Sequence, residues 1–265
     1  MFFLSISYLK TLQYLLLRSI KISSKGLFDK IINSLIWSIF TILIYTYIMP
    51  NMGMDQTIGT FMAATLPLSC AFFASFNTSY ILLIDMTNDG SALTYELLLP
   101  IPQWIIFAKY AIENSYQAIV VSFFILPISK LLLWDHLSLE HFSIIKFHFM
   151  LIIASISFGF FSIFVASITK DMFSGYDNIS NRIIFPMWLL GGYQFSWKTL
   201  YQISPTLAYL NLLNPLTYAL EGGRSTIIDP QLCLPYWYCI FALIIFAIIS
   251  GYFGIQKLKK RLDCL

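Results

Sequence analysis

The stretch FPMWLLGGYQFSWKTLYQISPTLAYLNLLNPLTYALEGGR, Phe185 to Arg224, decides how the whole chain is read. It is apolar enough to enter a bilayer, yet Pro186, Pro205 and Pro215 and the pairs Gly191-Gly192 and Gly222-Gly223 interrupt it too often for one straight helix across roughly 30 Å of hydrocarbon. Backbone broken at membrane depth is tolerated only where protein or a wet cavity covers its freed polar groups. The stretch therefore belongs inside a bundle or at its outer rim, as a helix that stops partway, a turn, and short helices in the interface. The rings of Trp188, Tyr193, Phe195, Trp197, Tyr201, Tyr209 and Tyr218 suit that depth, because amphipathic aromatics settle at headgroup level. Asn214-Pro215 reads as an N-cap followed by proline at the first helical position, and Glu221 and Arg224, three apart, as partners that satisfy each other.

Composition around this stretch sets the class. The 265 residues are 58% hydrophobic and 11% charged, whereas soluble chains carry about 25% charge. Such a chain has too much apolar surface for a water-soluble core and reads as an all-α integral membrane protein. Its net charge of +3 is too small to point to nucleic acid. Cys70, Cys233, Cys239 and Cys264 show no metal-ligand spacing, and nothing requires a disulfide between Cys233 and Cys239.

Residues 1–30 carry Lys10, Arg18, Lys21, Lys25 and Lys30 among Leu, Ile, Phe and Tyr, the pattern of a basic amphipathic segment lying on a membrane surface. Lys10 interrupts the early apolar run and no small-residue cleavage site follows, which argues against a cleaved signal peptide. Spans follow at about 31–49, 57–84, 103–129, 147–168 and 235–255, the second interrupted by Pro67. The broken stretch, read as a crossing over 183–198 with a re-entrant 199–224, is the fifth of six transmembrane helices in one domain that ends in the tail 256–265. Lys109 and Glu113, four apart, read as a pair that snorkels to the near interface. His136 and His141 sit with Asp135 and Glu140 in a polar loop whose spacing matches no ligand motif, so no metal is expected there.

Six crossings place both ends on one side, and the positions of the basic residues say which. Twelve of the sixteen lie before the first span, at Lys109, at Lys170 and Arg182, or after the last span, leaving Lys130, Lys146, Lys198 and Arg224 opposite. The positive-inside rule makes both termini and the loops 85–102 and 169–182 cytoplasmic, in the cell's inner (plasma) membrane.

No GxxxxGK[ST], HExxH, GxSxG or GxGxxG occurs, so the chain has no recognisable nucleotide engine or hydrolytic site and does not read as an enzyme. Outside Glu113 its spans are almost free of the carboxylates that ion-driven carriers use. A transporter built this way needs an external motor. The run Asn214-Pro215-Leu216-Thr217-Tyr218, followed by Glu221 and Arg224, resembles a signature near the end of the membrane subunits of type-two ATP-binding-cassette (ABC-2) exporters. The loop DMTNDGSALTYELLLPIPQW, from Asp85, resembles that family's first cytoplasmic loop, although Asn88-Asp89-Gly90 stands where a charged turn is common. The basic amphipathic start and the six-span layout agree, so the resemblance covers essentially the whole chain.

That resemblance implies a permease half-transporter. Two copies, or this chain and a close relative, would form a path through the membrane lipid for an amphipathic compound, lipid or lipid-linked glycan. Separate cytoplasmic ATPase subunits would bind the ATP and magnesium, with no cofactor in this chain. Glu96, Leu97 and Pro100 would couple to the ATPase, Glu96 as a contact on its surface. Gly191, Gly192, Pro205, Asn214, Pro215, Glu221 and Arg224 would form the outer re-entrant gate. The competing readings are a self-sufficient carrier or channel and a membrane-embedded enzyme with its site in the His136/His141 loop. The topology is tested by single cysteines at 140 and 260 in a chain freed of its native ones: an impermeant reagent added to intact cells should label 140 and spare 260, and the reverse would invert the orientation.

Overall fold

Five runs of helix are long and apolar enough to cross a bilayer: Lys10–Asn51, Ile58–Met86, Gln103–Leu133, Ile144–Ile168 and Tyr236–Arg261. The computed structural model describes residues 2–55, 57–87, 92–133, 142–169 and 177–262, and among these it contains helices and no strand. The His136/His141 loop, the turn at 88–91, the loop residues 170–176 and Cys264 lie outside the described residues.

Helix α1 (Phe2–Ser23) buries Leu15 and Ser19, one turn apart, and exposes Tyr14, Leu17 and Ile22. A 3-10 turn at Ser24–Gly26 leads into α2 (Leu27–Leu43), which continues through a π turn at Ile44–Ile48 to Asn51. Helix α3 (Ile58–Thr87) runs unbroken through Pro67 for 30 residues, about 45 Å at 1.5 Å per residue. The short α4 (Ala92–Leu97) precedes α5 (Gln103–Phe123) and α6 (Ile125–Leu133). Pro127 has no N–H to offer the Phe123 carbonyl, and the helix of the expected single span is interrupted at Phe124. Helix α7 (Ile144–Ile168) completes the first part of the bundle.

Where a crossing was expected over 183–198, the described residues hold no helix long enough to be counted among the five. A helical run over 177–190, with a π turn at Ser180–Ile184 and α8 (Phe185–Leu190), stops at Gly191. Three short helices follow: α9 (Trp197–Ile203), α10 (Pro205–Asn211) and α11 (Pro215–Arg224). Each has a polar cap whose side chain accepts a backbone N–H: Ser196 from Thr199, Ser204 from Leu207 and Asn214 from Leu216. Ser204 and Asn214 are followed by proline at the first helical position, as the sequence pattern of Asn214-Pro215 indicated. The last helix is α12 (Tyr236–Leu262).

The core is α3, α5 and α7. Phe72 meets Phe158 edge-on with ring centroids 5.2 Å apart, and Phe76 meets Phe161 at 5.7 Å. Helices pack in lipid largely through close backbone approach at small residues. A Cβ on Gly159 would lie 2.5 Å from the Ala111 carbonyl oxygen of α5, and one on Gly254 of α12 would lie 2.8 Å from the Phe164 backbone nitrogen of α7. Phe241, Ile245, Ile248 and Tyr252 form an exposed apolar stripe on α12, with the helical spacing of a lipid-facing surface.

Helices α7 and α12 run parallel. Tyr236 at the start of α12 donates its hydroxyl to the Lys146 carbonyl at 2.8 Å, and Arg261 at its end donates to the Thr169 carbonyl at 2.5 Å. The end of the bundle that holds Lys257, Lys260 and Arg261 is called the basic face below.

Gly159→Ala should destabilise the bundle by about 1–3 kcal/mol, the usual cost of overpacking, seen as a lower unfolding temperature of the purified chain. Gly26→Ala is the control, because nothing lies within 4 Å of that position.

Candidate functional site

The first cluster is built by the broken stretch. A helix that stops inside protein leaves its last carbonyls without N–H partners, and their burial is costly unless something else donates. Asn211 and Asn214, brought back beneath α8 by the turns between the short helices, perform that task. Asn214 donates to the Met187 carbonyl at 2.6 Å, and Asn211 donates to the carbonyl of Leu190. Thr217 donates to the Asn211 side-chain oxygen at 2.6 Å and so orients that amide. The indole N–H of Trp197 ties α9 to the Ala208 carbonyl of α10 at 2.8 Å.

Arg224, the last residue of α11, is fully buried. Its guanidinium has five N–H donors, and each has an acceptor. Nε donates to Thr65 Oγ1 at 3.2 Å; Nη1 donates to the Phe195 carbonyl at 3.1 Å and Glu221 Oε1 at 2.9 Å; Nη2 donates to the Tyr193 carbonyl at 3.2 Å and to the Gly192 carbonyl. The charge also sits 3.9 Å over the ring of Phe61. Gly192 can offer its carbonyl here because its φ of 83° is in the left-handed region that glycine enters without strain. Glu221 completes the arrangement, accepting from the Trp197 N–H at 3.0 Å through Oε1 and from the Leu234 N–H at 3.1 Å through Oε2. The pair that the sequence suggested is thus a closed polar knot tying the 191–197 turn, α3, α11 and the approach to α12 together. Gly222 and Gly223 let α11 descend this far: a Cβ on either would lie 2.1 Å from Met150 of α7 or Leu68 of α3.

Pro205 begins α10 at the exposed side of this cluster, with Trp197, Tyr201 and Tyr209 in mutual ring contact beside it. Beneath the short helices lies a cavity of about 630 Å³ lined almost wholly by apolar side chains, including Met187, Leu190, Leu210, Phe161 and Phe246. Cys233 and Cys239 are free and buried. Burial, with the Glu221 carboxylate nearby, pushes the Cys233 thiol up to about 12, so it stays protonated.

The second cluster lies toward the basic face, where the structure departs from the sequence reading. Lys109 does not pair with Glu113. It donates to both carboxylate oxygens of Glu96 at 2.7 Å, and both residues are almost fully buried. Glu96 is therefore turned into the bundle, with its carboxylate against Lys109. An i,i+4 pair on a helix surface is worth only a few tenths of a kcal/mol, and a carboxylate from another element at hydrogen-bond distance outcompetes it. Glu113 instead accepts from the hydroxyl of Ser23 at the end of α1. Leu97 is half-buried, whereas Tyr95, Leu98 and Pro100 are exposed. Arg18 of α1 reaches over the Tyr95 ring at 5.8 Å, and Tyr110, beside Lys109, donates to Asp85 of α3 at 3.4 Å. Helix α4 is consequently clamped to α5 by a buried ion pair and leans on α1. Among the described residues, no three His, Cys, Asp or Glu side chains gather as metal ligands.

A family model described as ABC-2 type transporter matches residues 10–228, well over half of the chain. The chain belongs to the ABC-2 type transporter family. No curated protein matches it. As an ABC-2 chain it is the membrane component of a transporter and not itself a catalyst. Its described elements carry both clusters within the matched residues, apart from the Leu234 N–H that caps Glu221.

Removing one member of a buried ion pair typically costs about 3–5 kcal/mol, because the other charge is left uncompensated. Glu221→Gln and Arg224→Met should each cut the yield of folded ABC-2 chain and lower its unfolding temperature. Arg224→Lys should not rescue it, since three N–H groups cannot serve five acceptors. Normal stability of the lysine variant would show that the guanidinium geometry is dispensable.

Proposed function

We propose that this ABC-2 chain is the permease subunit of an ATP-driven exporter, moving an amphipathic compound, lipid or lipid-linked glycan out of the cytoplasm. A separate cytoplasmic ATPase binds ATP and magnesium, and a second copy or a close relative completes the translocation path in the inner membrane. On this reading the basic face is cytoplasmic. Residues 169–235, which join the parallel helices α7 and α12, then cross the membrane as the helical run 177–190 and return as the short helices α9 to α11. These form a re-entrant cap at the outer mouth, held shut or opened as a unit around Arg224.

The observation that carries the reading is the clamp on α4. A six-residue helix at the edge of the bundle, with Tyr95, Leu98 and Pro100 exposed and Glu96 locked to Lys109, is built to take up a push from outside and pass it to α5. A buried ion pair couples two elements as a rigid body in a way that exposed charges do not. Coupling through Glu96 is thus indirect: it holds the contact surface instead of being that surface.

Reconstituted with its ATPase, the Glu96→Lys chain should lose coupled export by at least about tenfold, given about 2–5 kcal/mol for breaking a desolvated charge pair. The exchanged pair Glu96→Lys with Lys109→Glu should recover part of the loss. Leu98→Asp should weaken recruitment of the ATPase while leaving the bundle folded. Export by the permease alone, driven by an ion gradient, would replace this reading with that of a self-sufficient carrier.

A further inference from the structure

The cavity of about 630 Å³ beneath the short helices reaches a definite depth in the bundle. Its floor is Phe161 of α7 and Phe246 of α12, whose ring centroids are 5.1 Å apart. Phe246 stands ten residues after Tyr236, which opens α12 at the end opposite the basic face. At 1.5 Å per residue that is about 15 Å along the helix, half of a hydrocarbon layer roughly 30 Å thick. Leu200 of α9 and Leu210 of α10 line the cavity from the short helices. Leu190 of α8 and Leu213 after α10 also line it and are 63% and 80% exposed, so it opens where α8 and α10 come together.

What the lining offers decides the occupant. Its polar side chains are those of Asn211 and Asn214, and both are spent inside the protein. Their amides donate to the Leu190 and Met187 carbonyls, and their oxygens accept from the Thr217 hydroxyl and the Leu216 N–H. Among the described lining residues no side chain is charged. Water held in a cavity needs about two to four polar partners, and a cavity left empty costs stability in proportion to its volume. A helix of another chain laid across the mouth would seal the space without filling it down to Phe161. A flexible hydrocarbon chain can fill it, and bilayer lipid supplies such chains at this depth. Ile245 and Ile249, beside Phe246 on α12, are exposed, so the cavity wall runs on into the lipid-facing surface of that helix.

We infer that this cavity is a binding site for an acyl chain of a phospholipid from the leaflet opposite the basic face. The chain enters past Leu190 and Leu213, runs under α9 and α10, and ends against Phe161 and Phe246. It completes the packing beneath the short helices, and the headgroup stays outside without being selected. The site depends on the chain lying in a bilayer and not on an ATPase or on export.

Photolabelling tests it. The full chain, without an ATPase, is reconstituted in phosphatidylcholine vesicles containing a phosphatidylcholine that carries a diazirine near the end of one acyl chain, and adducts formed on illumination are mapped by peptide mass spectrometry. Ile248, exposed on α12 at similar depth, reports bulk lipid, whereas Phe161 is buried behind the cavity and is reached through it. Adducts should form on both. Leu207→Trp combined with Leu210→Trp, which fills the space, should abolish the adducts on Phe161 and spare those on Ile248. Phosphatidylglycerol with the same modified chain should label Phe161 equally. Label on Ile248 without label on Phe161 in the unmodified chain overturns the site, and would mean that a second copy of the chain or water occupies it. A marked preference for one headgroup overturns the acyl-chain assignment, as does Phe161 labelling that survives in the filled variant at unchanged helix content. Because the ATPase is absent from every arm, failure here leaves the exporter reading untouched, and failure of ATP-driven export leaves this result untouched.

Discussion

A guanidinium with no exposure to solvent must be satisfied completely or the bundle does not form. Arg224 meets this condition with acceptors from three separate parts of the chain: Thr65 on α3, the carbonyls of residues 192, 193 and 195 in the turn after α8, and Glu221 on its own helix. The shape of the broken stretch follows from that demand. The turn must bend so that three carbonyls converge, which needs Gly192 at positive φ, and α11 must sit deep enough to deliver its last residue, which needs Gly222 and Gly223 against Leu68 and Met150. The prolines cut the chain into pieces, and the arginine fixes where they lie.

The two buried ion pairs differ in what they hold. Glu221 and Arg224 are three residues apart on one helix, and their remaining hydrogen-bonding capacity goes to backbone from several elements. Glu96 and Lys109 belong to different helices, and their bond is the direct tie between α4 and the body of the bundle. The first pair makes a rigid node. The second ties α4, which also buries Leu93 in the core, to α5 across the turn between them.

Local features were legible in the sequence. The proline-capped start of α11, the i,i+3 pair of Glu221 and Arg224 and the five helical runs long enough to cross a bilayer rest on spacing within a few residues, and spacing is what a sequence displays. The misreadings involve choices between distant partners. Lys109 had Glu113 at the right helical interval, yet it binds Glu96 across a turn. The third expected span stands as one run, and only the local interruption at Phe124 was missed, because Pro127 lies within an otherwise apolar stretch. The Asn211 and Asn214 amides that cover the end of α8 carry no signal of their targets, since the free carbonyls of Met187 and Leu190 exist only after the helix has stopped.

Parallel neighbours such as α7 and α12 impose an order on assembly. Two helices joined by a short hairpin can pair as soon as the second emerges, but this pair is separated in sequence by the whole broken stretch, and so remote a contact forms late. During synthesis, the α7 surface that later receives Gly251 and Gly254 must wait, facing lipid or a chaperone, until α12 is inserted. A chain that stops before residue 236 therefore leaves an open seam along α7 where Gly251 and Gly254 would otherwise pack on Phe160 and Phe164.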